Sequence, residues 1–175
     1  MTRPPTRVVL VPGVLALLPE YAGLSDPVAE LRAACLAAVA WLGAEGGFGV
    51  HGSAQGLRLA RHLAAGAGVE VDLVPQHPGA VLVVGNGSAA RTEKAPGHLH
   101  AGAAGFDERL RTALVAPDPV ALAGLDLHLA ADLWADVESL VWLGAEALSA
   151  GHQARVDYDD DPFGVQYWVV RWSLI

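Results

Sequence analysis

Val81-Leu82-Val83-Val84-Gly85-Asn86-Gly87-Ser88-Ala89-Ala90-Arg91-Thr92-Glu93-Lys94-Ala95-Pro96-Gly97-His98-Leu99-His100 is the stretch whose reading decides the fold. Its opening is apolar at every position, as in a strand covered on both faces. A strand covered twice needs a layer on either side of its sheet. The run stops at Gly85-Asn86-Gly87 and gives way to a polar loop holding the only lysine of the chain, Lys94. In sheets built this way, ligands bind beyond the carboxyl ends of the strands. The 85–94 loop is therefore the first place to look for a site, with the 12–16 and 159–164 loops beside it.

Working outward, Arg7 to Val11 is a short β-branched run and reads as the first strand. Arg3 and Arg7 ahead of an apolar run also fit a signal-peptide core, but Pro12 and Gly13 interrupt it, which favours the strand. The loop 12–26 carries Leu15, Leu17, Leu18 and Tyr21, so it is expected to pack down. Ser25-Asp26-Pro27 announces a helix over 27–42, with Val28, Leu31, Cys35, Leu36, Val39 and Leu42 on one stripe. The stretch 43–52 reads as a glycine-rich break, 53–65 as a second helix, 69–74 as a half-exposed strand and 75–79 as a turn. Ala80 to Val84 is the central strand. A helix over 103–114 follows, then a short one after Asp118-Pro119, then a helical region over 127–150 broken near 134–136. A strand over 155–158, an acidic turn over 159–164 and a strong final strand over 165–172 complete the chain. The expectation is an α/β fold: a layered sheet, at least partly parallel, with helices on both faces, in a single domain spanning 1–175.

The chain has 175 residues, is 53% hydrophobic and carries a net charge of −8. That length buries a core without staples. The negative charge argues against nucleic acid, which needs a basic patch, and against an anionic membrane surface. No apolar run is long enough to span a bilayer. A single cysteine, Cys35, excludes an internal disulfide and fits a reducing, cytoplasmic setting. Mid-helix, it reads as a small core residue.

The polar loop supplies the candidate site: Asn86, Ser88, Arg91, Glu93, Lys94 and His98. Gly85-Asn86-Gly87-Ser88 can present backbone amides to an anion, or simply end a strand. Arg91, Glu93 and Lys94 can surround a small anionic ligand, or form a solvated ion pair. His98 and His100 have the alternate spacing of a metal pair, without a third ligand at a defined distance. Asp157, Asp159, Asp160 and Asp161 lack the spacing of a calcium loop. Four of the five tryptophans, Trp134, Trp142, Trp168 and Trp172, are candidates for a homo-oligomer interface.

Taken together, the motifs resemble a known family. Gly85-Asn86-Gly87-Ser88-Ala89-Ala90-Arg91-Thr92-Glu93-Lys94-Ala95-Pro96-Gly97-His98-Leu99, Phe106-Asp107 and Tyr158-Asp159-Asp160-Asp161-Pro162-Phe163-Gly164-Val165-Gln166-Tyr167 are similar to the B-like branch of the bacterial class III extradiol ring-cleavage dioxygenases. Val11-Pro12-Gly13-Val14-Leu15-Ala16-Leu17-Leu18-Pro19-Glu20 and the 31–39 helix fit the same pattern, so the resemblance covers nearly the whole chain. It implies a superfamily that cleaves catechol rings with Fe(II) and dioxygen, the iron held by two histidines and a glutamate, with a further histidine as acid/base. An iron site needs a facial set of three ligands with positions left open. Here the loop after the first strand reads Pro12-Gly13-Val14, and the 85–90 region has no histidine. The segment after the first helix is shortened, leaving His51 as the nearest metal candidate. The resemblance therefore implies an oxidoreductase fold whose iron ligands and activity are lost. The alternatives are an enzyme of another class acting on a small anionic substrate at the 85–94 loop, and a non-catalytic interaction protein.

Overall fold

A computed structural model describes residues 3–70 and 79–175. The expected strand over 69–74, the turn over 75–79 and His77 fall wholly or mainly outside the described residues. Among the described residues the sheet has five strands: β1 (Arg7–Val11), β2 (Gly49–His51), β3 (Ala80–Val84), β4 (His152–Asp160) and β5 (Tyr167–Leu174). Their order is β2-β3-β1-β5-β4. β3 is parallel to both β1 and β2, whereas β5 runs antiparallel to β1 and to β4. The single-domain α/β architecture with helices on both faces is as the sequence leads one to expect.

The period of two in a strand splits the core into two halves. Val9, Val11, Leu82, Val84 and Val169 face helices α1 (Ala29–Leu42) and α2 (Ala54–Gly66), whose Leu31, Cys35, Val39, Leu59 and Leu63 are buried against them. Val8, Leu10, Val81, Val83, Trp168, Val170 and Trp172 face the other way. They are covered by α3 (Ala103–Val115), α4 (Pro119–Ala123), α5 (Leu127–Asp132) and α6 (Glu138–Trp142), and by the π turn Leu143–Ala147. Side-chain caps start three of these helices: Ser53 on α2, Asp118 on α4 and Asp126 on α5. Burial raises the Cys35 thiol to about 12, against a weaker opposing pull from Arg32, so the cysteine is a core residue.

Three expectations need correction. The 43–52 stretch is not only a break. It contains β2, whose Val50 pairs with Leu82. The strand read over 155–158 extends over His152–Asp160 and is an edge strand bulged between Val156 and Tyr158. Finally, Trp168 and Trp172 are buried in the core, and the Trp172 indole N–H donates to Leu114 O at 2.9 Å. They cannot form an interface between copies of the chain; of the four tryptophans, only Trp134 is broadly exposed.

Candidate functional site

The carboxyl ends of β1, β2 and β3 lie at one edge of the sheet, as do the loops that follow them and the turn between β4 and β5. The polar 85–100 loop is anchored there at its start. Gly85 N–H donates to Val11 O, Gly87 N–H donates to Gln166 O, and Gln166 N–H donates to Ser88 O. Asn86 and Asp136 form an isolated antiparallel bridge, each N–H donating to the other's carbonyl. The segment after α5 thus lies along the loop.

Within the loop, Ser88 and Arg91 turn inward. Asp107 of α3 is fully buried and accepts the Ser88 hydroxyl at 2.6 Å, the Ser88 N–H at 2.8 Å and Arg91 Nη1 at 3.0 Å. Arg91 Nε also donates to Asp161 at 2.6 Å. Burial pulls the Arg91 guanidinium down, but the hydrogen bonds and charges of Asp161 and Asp107 together raise it. Two carboxylates already engage the guanidinium through Nε and Nη1, so its charge is matched within the protein. Its role is to join the 85–100 loop to α3 and to the 161–164 turn, where Arg91 N–H also donates to Gly164 O at 3.1 Å. The neighbouring aspartates are engaged too: Asp159 with Arg111, Asp157 with Arg171, and Asp160 with the Asp161 N–H.

Glu93, Lys94 and His98 point outward. Lys94 and Glu93 edge an open groove with Thr92 and the half-exposed ring of Phe163. His98 has a left-handed backbone (φ 56°) and its ring lies 3.4 Å from Glu93 O. His100 Nδ1 accepts Gly102 N–H at 2.9 Å. The two histidines are therefore engaged locally, in the loop's own turns.

A second group of polar side chains gathers closer to the strand ends. Gly13 N–H donates to Asn86 Oδ1 at 3.3 Å, and Gly13 O accepts Gln55 Nε2 at 2.8 Å. A methyl group on Gly13 would sit 3.6 Å from Asp136 Oδ2 and 3.7 Å from Asn86 Oδ1, in ordinary contact. Two acceptor oxygens thus flank a space opened by a glycine. His51, at the end of β2, stacks flat on Trp142 with ring centroids 4.1 Å apart, and its Nδ1 lies 3.1 Å from Ser139 Oγ. Burial lowers the His51 imidazole, partly opposed by Glu138. Burial raises the Asp136 carboxyl, and Glu138 adds to the rise. Asp136 and Ser139 are residues that the sequence reading misses, with the helix break near 134–136 as their trace; Trp142, read there as an interface candidate, stacks on His51 instead.

The Fe(II) implied by the resemblance does not fit these residues. The resemblance leads one to expect an iron-binding histidine in the 12–14 loop and an acid/base histidine in the 85–90 region, and neither segment holds one; His51 Nδ1 lies 3.1 Å from Ser139 Oγ. Among the described residues no three His, Cys, Asp or Glu side chains come together to hold a metal. Nor is any helix among them long and apolar enough to cross a membrane. No protein-family model matches the chain, and no curated protein matches it in sequence.

Proposed function

We propose that this chain is a shortened, B-like class III extradiol dioxygenase domain that binds a small molecule at the strand ends without iron-dependent ring cleavage. The observation that carries this reading is the approach of Asn86 Oδ1 and Asp136 Oδ2 to Gly13 at the strand ends. These strand ends are where the superfamily resemblance puts catalysis; Asn86 and Asp136 form a wall of two acceptor oxygens there, His51 stands at the end of β2, and no set of three metal ligands gathers among the described residues. The wall is rich in acceptors, so it suits a ligand carrying hydroxyl or amino donors. The groove reading, in which Lys94 takes a small anion, loses Arg91 as its second cation and rests on Lys94 alone.

A titration of the protein with catechol, followed by amide chemical shifts, tests the binding half of the proposal. Saturable shifts at Gly13, His51, Asn86 and Asp136, abolished by Asn86→Leu, support it. Saturable shifts only at Thr92, Lys94 and Phe163 would move the site to the groove, and absence of saturable shifts would remove the binding role.

A further inference from the structure

A separate cavity lies under the long connection from β1 to α1. It measures about 300 Å³ and is lined mainly by Ala16, Pro19, Tyr21, Pro27, Arg32 and His62. That volume is at the lower end of small-ligand pockets, which run from about 300 to 1,000 Å³.

The roof of this cavity is clasped at both ends by one side chain. Arg32 of α1 donates Nη1 to Leu17 O at 2.7 Å, Nη2 to Ala16 O at 3.1 Å and Nε to Asp26 Oδ2 at 3.1 Å. Asp26 in turn accepts Val28 N–H at 3.2 Å. The middle of the roof is tied to α2 by an ion pair between Glu20 and Arg58. Leu24, the largest aliphatic side chain of the 19–27 segment, is fully exposed and does not fill the space below.

The chemistry of the walls restricts what can enter. Alanine and proline supply an apolar lining. Both arginines near the roof are already matched by carboxylates, so no unbalanced charge faces the cavity. His62 stands four residues after Arg58, on the same side of α2, and has no hydrogen-bond partner among the described residues. We propose that this cavity binds a small uncharged molecule with a mainly apolar body and one hydrogen-bonding group, which pairs with His62. This site is distinct from the strand ends around Gly13 and stands or falls independently of them.

Phenol and toluene are suitable probes, followed by amide and imidazole chemical shifts of the intact chain. Phenol should give saturable shifts at Ala16, Ala22, Gly23 and His62, leaving Asn86 unmoved. His62→Phe should weaken phenol several-fold, the loss of one hydrogen bond, and leave toluene unchanged. Ala16→Phe, which fills the cavity, should abolish binding of both; Ala22→Trp, on the exposed rim, serves if the first variant does not fold. Absence of saturable phenol shifts in the native protein overturns the proposal. So does undiminished binding in a folded filling variant, or equal loss of phenol and toluene with His62→Phe.

Discussion

Asp107 receives Ser88 twice, its backbone N–H at 2.8 Å and its hydroxyl at 2.6 Å, and this two-point grip fixes the start of the polar loop to α3. Arg91 closes the same carboxylate from the other side. Removing one member of a buried charged group leaves the other uncompensated, typically at a cost of about 3–5 kcal/mol. Asp107→Ala should therefore destabilise by about that much, and Ser88→Ala by about 1.5–3 kcal/mol, the range for a bond to a charged group. Urea unfolding measures both. Arg91→Leu should also lower the midpoint; a ligand role for Arg91 would instead cost affinity and leave the midpoint alone.

The glycines at this edge should behave differently from one another. A Cβ on Gly85 would lie 2.8 Å from Asp136 O, and one on Gly87 2.6 Å from Asp107 Oδ1 and 2.9 Å from Trp168. Neither the bridge nor the buried carboxylate has room to yield. Gly85→Ala and Gly87→Ala should each cost about 1–3 kcal/mol, the usual range for overpacking. Gly13→Ala meets its neighbours at 3.6 Å or more and should keep native stability within about 0.5 kcal/mol. Thermal melts of the three variants check this ordering.

Asp136 should be a residue that folding tolerates rather than requires. Its carboxyl is raised in the folded state by burial and then by Glu138. The folded chain therefore holds that proton more tightly than the unfolded chain, and stability is lost as pH rises above the ordinary value of 3.8 and through the raised one. Asp136→Asn should melt higher than the parent at pH 7, with the gap closing as pH falls toward 3.8.

His51 carries the opposite sign. Burial lowers its imidazole below 6.5 in the folded state, so the unfolded chain binds the proton first. Its contribution is complete above pH 6.5 and is lost as pH falls through the window below it. Relative to His51→Phe, the parent should lose stability on acidification across that window. Glu138→Gln removes a charge that raises both groups, so the titrations of His51 and Asp136 should both move down, as read by NMR.

The strands that build the core announce themselves because burial on two faces demands apolar residues at every position, as in Val81 to Val84. β2 does not, since it is three residues long and only Val50 lies between Gly49 and His51; its strand character comes from pairing with β3. β4 is masked for another reason. As an edge strand it carries Arg155, Asp157, Asp159 and Asp160, charges that discourage pairing with another chain. At the site, Arg91 and Lys94 look equivalent in sequence. What separates them is Asp107 on α3 and Asp161 on the far turn, 16 and 70 positions away, which no local pattern reveals. Asp136 is legible only as an interruption between two helices.

We propose that the strand ends around Gly13 have kept a binding wall and lost iron chemistry. Anaerobic titration of the purified chain with ferrous iron, followed by oxygen uptake with catechol, tests it most directly. The expected result is no stoichiometric iron binding and no oxygen consumption above the protein-free rate. One iron per chain, with ring-cleaved product formed as oxygen is consumed, would contradict it.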